Sequence, residues 1–333
     1  MNRIVVLFFV VLTFATFYSC SSSESYTVGY LNAASFRDRF VAEGDYMAER
    51  LRELGHETIV RTAEDDDAVQ LAQGYELLAQ GVDALVIACV NGNTIAPLVR
   101  DAQSQGVKVV AYNRLINNAD YDLFMTGNNE HLAELFCTTA LDAKPRGNYV
   151  ILGGDRFDRN GFELMQYIES TLAPYIASGA INLLYQTYIE GWSGERSAFE
   201  LQQVMDAYGT DIDAVLTCSD PMGVSAVEVL RKYGLEGKVV VTGQDADLDA
   251  VQSVQRGEMT MTVYHPHKEL GYKTAELVDE MLNGKDVSAL ATSVTNNGFA
   301  EIATYKMPSQ LVTQETIEQV LIESGKYQWS QIR

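Results

Sequence analysis

The sequence predicts a two-lobed α/β fold built on doubly wound parallel sheets. Two observations carry that expectation. From Tyr26 onward, β-type apolar runs alternate with stretches of helical period, the βαβα rhythm of a parallel sheet covered on both faces. The rhythm then restarts at Asn148 with no proline-rich or disordered linker, so two α/β units of similar size follow one another.

In the first unit the expected strands are 27–31, 58–61, 84–89, 108–112 and 123–126. Amphipathic segments such as 41–54, 68–80 and 95–105 lie between them. In the second unit the strands are expected near 148–154, 183–189, 214–219, 239–244 and 261–264, with helices such as 163–176 and 198–208. Beyond Gly284 the text changes. Residues 292–305 read as a β-hairpin turning at Asn296-Asn297-Gly298, and Thr313-Gln314-Glu315 opens a final helix to about Ser324.

Composition narrows the function. A chain of 333 residues, 47% hydrophobic and 21% charged, can fill two ordinary cores. Its formal net charge of −21 repels phosphate backbones and argues against nucleic acid. Neither unit contains GxGxxG or GxxxxGK[ST], so a phosphate cradle is not supported. Cys89, Cys137 and Cys218 have no framework or zinc spacing. Cys89 and Cys218 end apolar runs and read as buried thiols, with one bridge left open.

The amino terminus, Met1-Asn2-Arg3 and an apolar run to Phe17, is too short for a membrane span. Followed by Ser19-Cys20 and a serine-rich stretch, it resembles a bacterial lipoprotein signal. The expected layout is a signal peptide over 1–19, Cys20 as the lipidated first residue and a tether over 20–25; a plain secreted protein cut nearby is the alternative.

Candidate binding residues sit at strand ends, where open α/β sheets place their ligands. The stretch from Val239 to Lys268 is the densest. Asp245 leaves a β-branched run through Gly243, and His265 follows about twenty residues later. Asp220 ends another apolar run, preceded by Ser219, and either accepts hydroxyl hydrogen bonds or caps the next helix. Asn160 has the same ambiguity. Arg114 follows a strand directly, and with Arg39 could present donor forks to adjacent hydroxyls, or form salt bridges instead. Phe40 and Trp192, each in a loop after a strand, suit the C–H faces of a sugar ring, or ordinary packing. His265 and His267 form an H-x-H pair without the further ligands a metal needs, and no nucleophilic triad stands out.

Taken together, LVIACVNGN, GVKVVAYNRLINNADYDLFMTGNNE, GNYVILGG with DRN, IEGW, DAVLTCSD, VVVTGQDADLDAVQSVQRGEMTMTVY and TNNG resemble the D-xylose-binding proteins of bacterial ABC sugar importers. These belong to the ribose/galactose-type, type I periplasmic binding proteins. The resemblance implies a "Venus flytrap": two lobes joined by three crossovers near 127–129, 263–265 and 293–295, with a sugar in the cleft. The lobes would comprise 26–128 plus 265–294 and 129–264 plus 295–333. It implies sugar contacts from Arg39, Phe40, Arg114, Asn160, Trp192, Ser219, Asp220, Asp245 and His265, with no cofactor, metal or catalytic residue. The partner would be an ABC permease, or a membrane sensor, that reads the closed lobes of a monomer lipid-anchored in the periplasm. The family usually carries tryptophan at Phe40, an amide at Ser219 and lysine at His265, so the exact sugar stays open. A sugar-acting enzyme remains the more distant alternative.

Overall fold

A computed structural model describes residues 25–36 and 38–333. The expected signal peptide and Cys20 lie outside the described residues.

The first lobe is a seven-stranded sheet. Its first five strands in chain order are β1 (Thr27–Asn32), β2 (Glu57–Thr62), β3 (Ala84–Ile87), β4 (Lys108–Tyr112) and β5 (Leu123–Gly127). They line up as β2-β1-β3-β4-β5, all parallel, with α1 (Asp38–Glu53), α2 (Asp67–Ala79) and α3 (Ala96–Ser104) as crossovers. β3 is buried along its whole length, as an unbroken apolar run in a doubly covered sheet should be. The order reverses between β1 and β3, which opens a crevice at the strands' carboxyl ends.

The second lobe repeats the arrangement. Its helices α4 (Asn129–Ala143), α5 (Arg159–Ala177), α6 (Gly194–Tyr208), α7 (Asp220–Arg231) and α8 (Leu248–Gln255) flank β6 (Gly147–Gly153), β7 (Ile181–Tyr188), β8 (Ala214–Thr217) and β9 (Val240–Val241). The parallel order is β7-β6-β8-β9, reversing between β6 and β8. Each lobe has apolar cores on both faces of its sheet.

Between the lobes the chain passes first at 127–129, from β5 into α4. It returns after β10 (Thr262–Tyr264) into α9 (His267–Leu282), which packs on α1. The third passage departs from expectation. The hairpin strands β11 (Ser293–Asn296) and β12 (Glu301–Met307) both belong to the first lobe's sheet. β12 lies parallel to β5, from Thr304 opposite Phe124 to Met307 opposite Gly127, and buries Ile302 and Thr304. Two arms of one hairpin share a sheet, so the chain cannot leave at 293–295; it leaves after Met307.

It then forms an unforeseen strand, β13 (Gln310–Val312), antiparallel to β10. The helix expected from Thr313 to Ser324 shrinks to a five-residue π-helical turn, Glu318–Ile322. Thr316 explains part of this: its hydroxyl donates to the Leu311 carbonyl and accepts from the Thr313 amide, local bonds that compete with a helical start. A last short helix, α10 (Trp329–Ile332), packs on α8. Cys89, Cys137 and Cys218 are free and buried.

Candidate functional site

The wall of the first lobe is organised around a residue the sequence reading missed. Glu43 lies one turn after Arg39 in α1 and is fully buried. Arg39 Nε donates to Glu43 Oε1 at 2.8 Å, and Asn113 Nδ2 donates to Oε2 at 2.7 Å. His267 Nδ1 lies 2.7 Å from Oε1. Arg39 Nη2 also donates to Asn113 Oδ1 at 3.2 Å, which closes the ring. Burial opposes ionisation of Glu43, but Arg39 and the His267 hydrogen bond outweigh it and hold the carboxyl down at about 2. Arg39 is thereby fixed on one side while about a third of its side chain (34%) remains exposed.

Phe40 sits beside Arg39, its ring 5.7 Å from the Arg114 guanidinium. Arg114 Nη1 donates to the carbonyls of Cys89 at 3.1 Å and Val90 at 3.4 Å, which fixes the arginine over the mouth of β3. Arg39, Phe40 and Arg114 are therefore one contiguous surface.

Asp245 faces them from the second lobe. Its backbone adopts φ 99°, a strained value for a residue with a side chain, and its amide donates to the Val263 carbonyl at 2.8 Å. The carboxylate stays 42% exposed, 3.7 Å from His265 Nε2. Its recessed setting raises its pKa, and the Arg39 charge is the largest influence opposing that rise. Asn160, on the first turn of α5, accepts from Asn129 Nδ2 at 3.1 Å. Asp158, not Asn160, caps that helix. Asn160 and Arg114 line a common interlobe cavity of about 770 Å³. Trp192 lies against Gly154 at the end of β6; a Cβ there would come within 2.2 Å of the indole ring, so only glycine admits it.

Three of the candidates are buried and held within the protein. Asp220 is fully buried, and both its oxygens are bonded within the lobe. Oδ1 accepts from the Thr262 hydroxyl at 2.6 Å and Oδ2 from the Asp247 amide at 2.7 Å. Burial pushes its pKa well up, and nearby Asp245 adds to the rise. Ser219 is likewise buried, with no hydrogen-bond partner for Oγ. His265 has both ring nitrogens committed to the protein. Gln244 Nε2 donates to the Cys218 carbonyl at 2.7 Å, so its Oε1 accepts, and His265 Nε2 donates to it at 2.9 Å. His265 Nδ1 then accepts from Ser309 Oγ at 2.8 Å. Burial, then the charges of Arg39 and His267, depress its pKa well below 6.5, so the ring is neutral.

The residues missed had signals of their own. Glu43 stands four positions after Arg39, the spacing of a helical ion pair, and Asn113 adjoins Arg114. Phe157, 85% exposed at the cavity's rim, lies three residues before Asn160.

Two α/β lobes with facing crevices, crossed by three chain passages and lined by a buried polar clamp, define a cleft-type ligand-binding protein. The family described as periplasmic binding protein domain matches residues 28–286, and the chain belongs to that family. It is 32% identical over 295 residues to the D-xylose-binding periplasmic protein of Escherichia coli strain K12, covering 89% of each chain. It is 28% identical to the multiple sugar-binding periplasmic receptor ChvE of Rhizobium radiobacter, covering 94% of each. Among solved structures, an ABC transporter solute-binding protein of Clostridium phytofermentans with bound β-D-glucose superposes with TM-score 0.76, at 24% identity, over 92% of this chain and all of that one. The shared fold is type I.

Proposed function

We propose that this protein binds a neutral monosaccharide, D-xylose or a related pentose or aldose, between its lobes and delivers it to a membrane ABC importer. The observation that carries this reading is the Glu43-ordered surface of Arg39, Asn113, Arg114 and Phe40, opposed by the exposed carboxylate of Asp245. It offers fixed donors, one acceptor and an aromatic face, the complement of a hydroxylated ring. Trp192 and Asn160 supply a second aromatic and an amide from the other lobe. In this reading the sugar is bound and released without a chemical step. Closure around the sugar is the signal, and the permease reads the closed shape. Cys20 carries the lipid that holds the protein to the envelope, and the protein acts as a monomer in the periplasm.

A second reading is favoured by one observation. The ChvE relative is named a receptor and covers almost the whole chain. In that reading, the same closed state reports sugar occupancy to a membrane sensor.

Calorimetric titration of the domain from Ser21 onward against D-xylose, L-arabinose, D-ribose, D-glucose and D-galactose tests the proposal. The expected result is saturable one-to-one binding of at least one, with the sugar recovered unchanged. A micromolar Kd corresponds to about −8 kcal/mol. Binding by none of the five, or turnover of any, overturns it.

A further inference from the structure

The cavity lined by Arg114 and Asn160 has further walls of its own, and neither Asp245 nor Trp192 is among them. Thr126 and Asn129 form its floor at the first passage between the lobes. Lys306 and Thr295, from β12 and β11, form one side; Asn117 and Tyr167 approach from the loop after β4 and from α5. At about 770 Å³ the cavity lies in the upper part of the roughly 300–1,000 Å³ range of small-molecule sites. Thr126, Gly127 and Asn129 lie at the first passage between the lobes, where atoms move least in a hinge closure, so this end of the cavity should keep its space.

The walls are amide-rich and their formal charges balance, Arg114, Arg159 and Lys306 against Asp155, Asp158 and Glu163. Arg159 and Glu163 cancel one another at 2.7 Å. The Asp155 and Asp158 carboxylates accept backbone N–H groups. That leaves the ammonium of Lys306, with no carboxylate partner among the described residues, and the half-buried ring of Tyr167. One cationic donor, side-chain amides and an aromatic face again suit a hydroxylated ring.

Building on the monosaccharide reading, we infer that the cleft contains a second subsite, beside the first passage, which takes the next ring of a neutral disaccharide. Lys306 donates to its hydroxyls and Tyr167 covers its C–H face.

The test compares xylobiose with D-xylose and cellobiose with D-glucose, by calorimetry, on the wild type and on a Lys306→Ala/Tyr167→Phe double variant and a Lys306→Ala/Tyr167→Ala double variant. One disaccharide is expected to bind about tenfold more tightly than its monosaccharide, the yield of one or two further hydrogen bonds. The alanine pair should remove that gain and leave the monosaccharide affinity unchanged, which also shows that the variant is folded. The phenylalanine pair should keep the part contributed by ring contact. A monosaccharide that binds while its disaccharide does not overturns the subsite and leaves the monosaccharide reading standing. Equal losses for both sugars in the variants also overturn it. Failure of all four sugars overturns the subsite, and titration with L-arabinose, D-ribose and D-galactose then decides the monosaccharide reading separately.

Discussion

At the scale of single residues, Glu43 and Asp220 show how two buried carboxylates of one chain are pushed in opposite directions. Glu43 is reached by Arg39, Asn113 and His267 and stays ionised; Asp220 is reached only by a hydroxyl and one amide, and burial dominates. Glu43 is a positioning residue for Arg39. Glu43→Gln should lower sugar affinity at least about tenfold by freeing the guanidinium, and lower stability by about 2–3 kcal/mol; the upper range for a broken buried pair is not reached because Arg39 is partly exposed. Calorimetry and urea unfolding measure the two effects. The sign with pH follows from the folded-state pKa near 2 lying below the ordinary 4.5. The contribution is full above about 4.5 and is lost as the pH falls toward 2, so the variant should lack this part of the acid transition. Asp220→Ala is different. It leaves the Thr262 hydroxyl and Asp247 amide buried without an acceptor and should cost about 2–4 kcal/mol in stability. Sugar affinity, measured well below the melting temperature, should change little; a large loss would return Asp220 to the site.

At the scale of elements, the instructive feature is the hinge. His265 follows β10 on the second passage and Ser309 lies between β12 and β13 on the third, so their 2.8 Å hydrogen bond ties two passages together. Gln244, after β9, anchors the same ring to the second lobe. The depressed folded-state pKa of His265 means that the unfolded chain binds its proton first. The stabilisation is therefore full above about pH 6.5 and declines as the pH falls below it. The wild-type melting temperature should drop more steeply between pH 6.5 and 5 than that of His265→Gln, as read by circular dichroism. Sugar affinity should stay flat from pH 7.5 to 5.5 as far as His265 is concerned, because its nitrogens already have protein partners. The contact between Trp192 and Gly154 makes a further test. Gly154→Ala should displace the indole and weaken sugar binding about tenfold or more, visible as a blue or red shift in tryptophan emission together with the raised Kd.

At the scale of the molecule, two lobes with separate cores joined by three passages favour rigid-body closure over local rearrangement. The radius of gyration from solution scattering should fall when the bound sugar is added, and remain unchanged with a sugar that calorimetry shows not to bind. An unchanged radius with a tightly bound sugar would place recognition in a preformed cavity instead.

What the sequence by itself determined is the local and periodic part. Buried parallel strands are continuous β-branched runs, and helices carry their 3.6-residue stripe, so β1 to β8, most helices and the hairpin at Asn296-Asn297-Gly298 could be located before any coordinates. The strand-end rule likewise placed Arg39, Phe40, Arg114 and Asp245 beyond strand ends, where the structure also has them, because a residue following a parallel strand must lie at the sheet's mouth. Tertiary structure decided what depends on residues far apart in the chain. β12 joins the first lobe only through its pairing with β5, nearly the whole second lobe away in sequence. Whether a polar side chain at a strand end meets the cleft or the interior is settled by its partners in space. Thr262 and the Asp247 amide turn Asp220 inward, and Gln244 with Ser309 claims His265 for the hinge. Hydrogen-bond partners drawn from three or four separate segments leave no period in the sequence, which is why the motif was legible and its wiring was not.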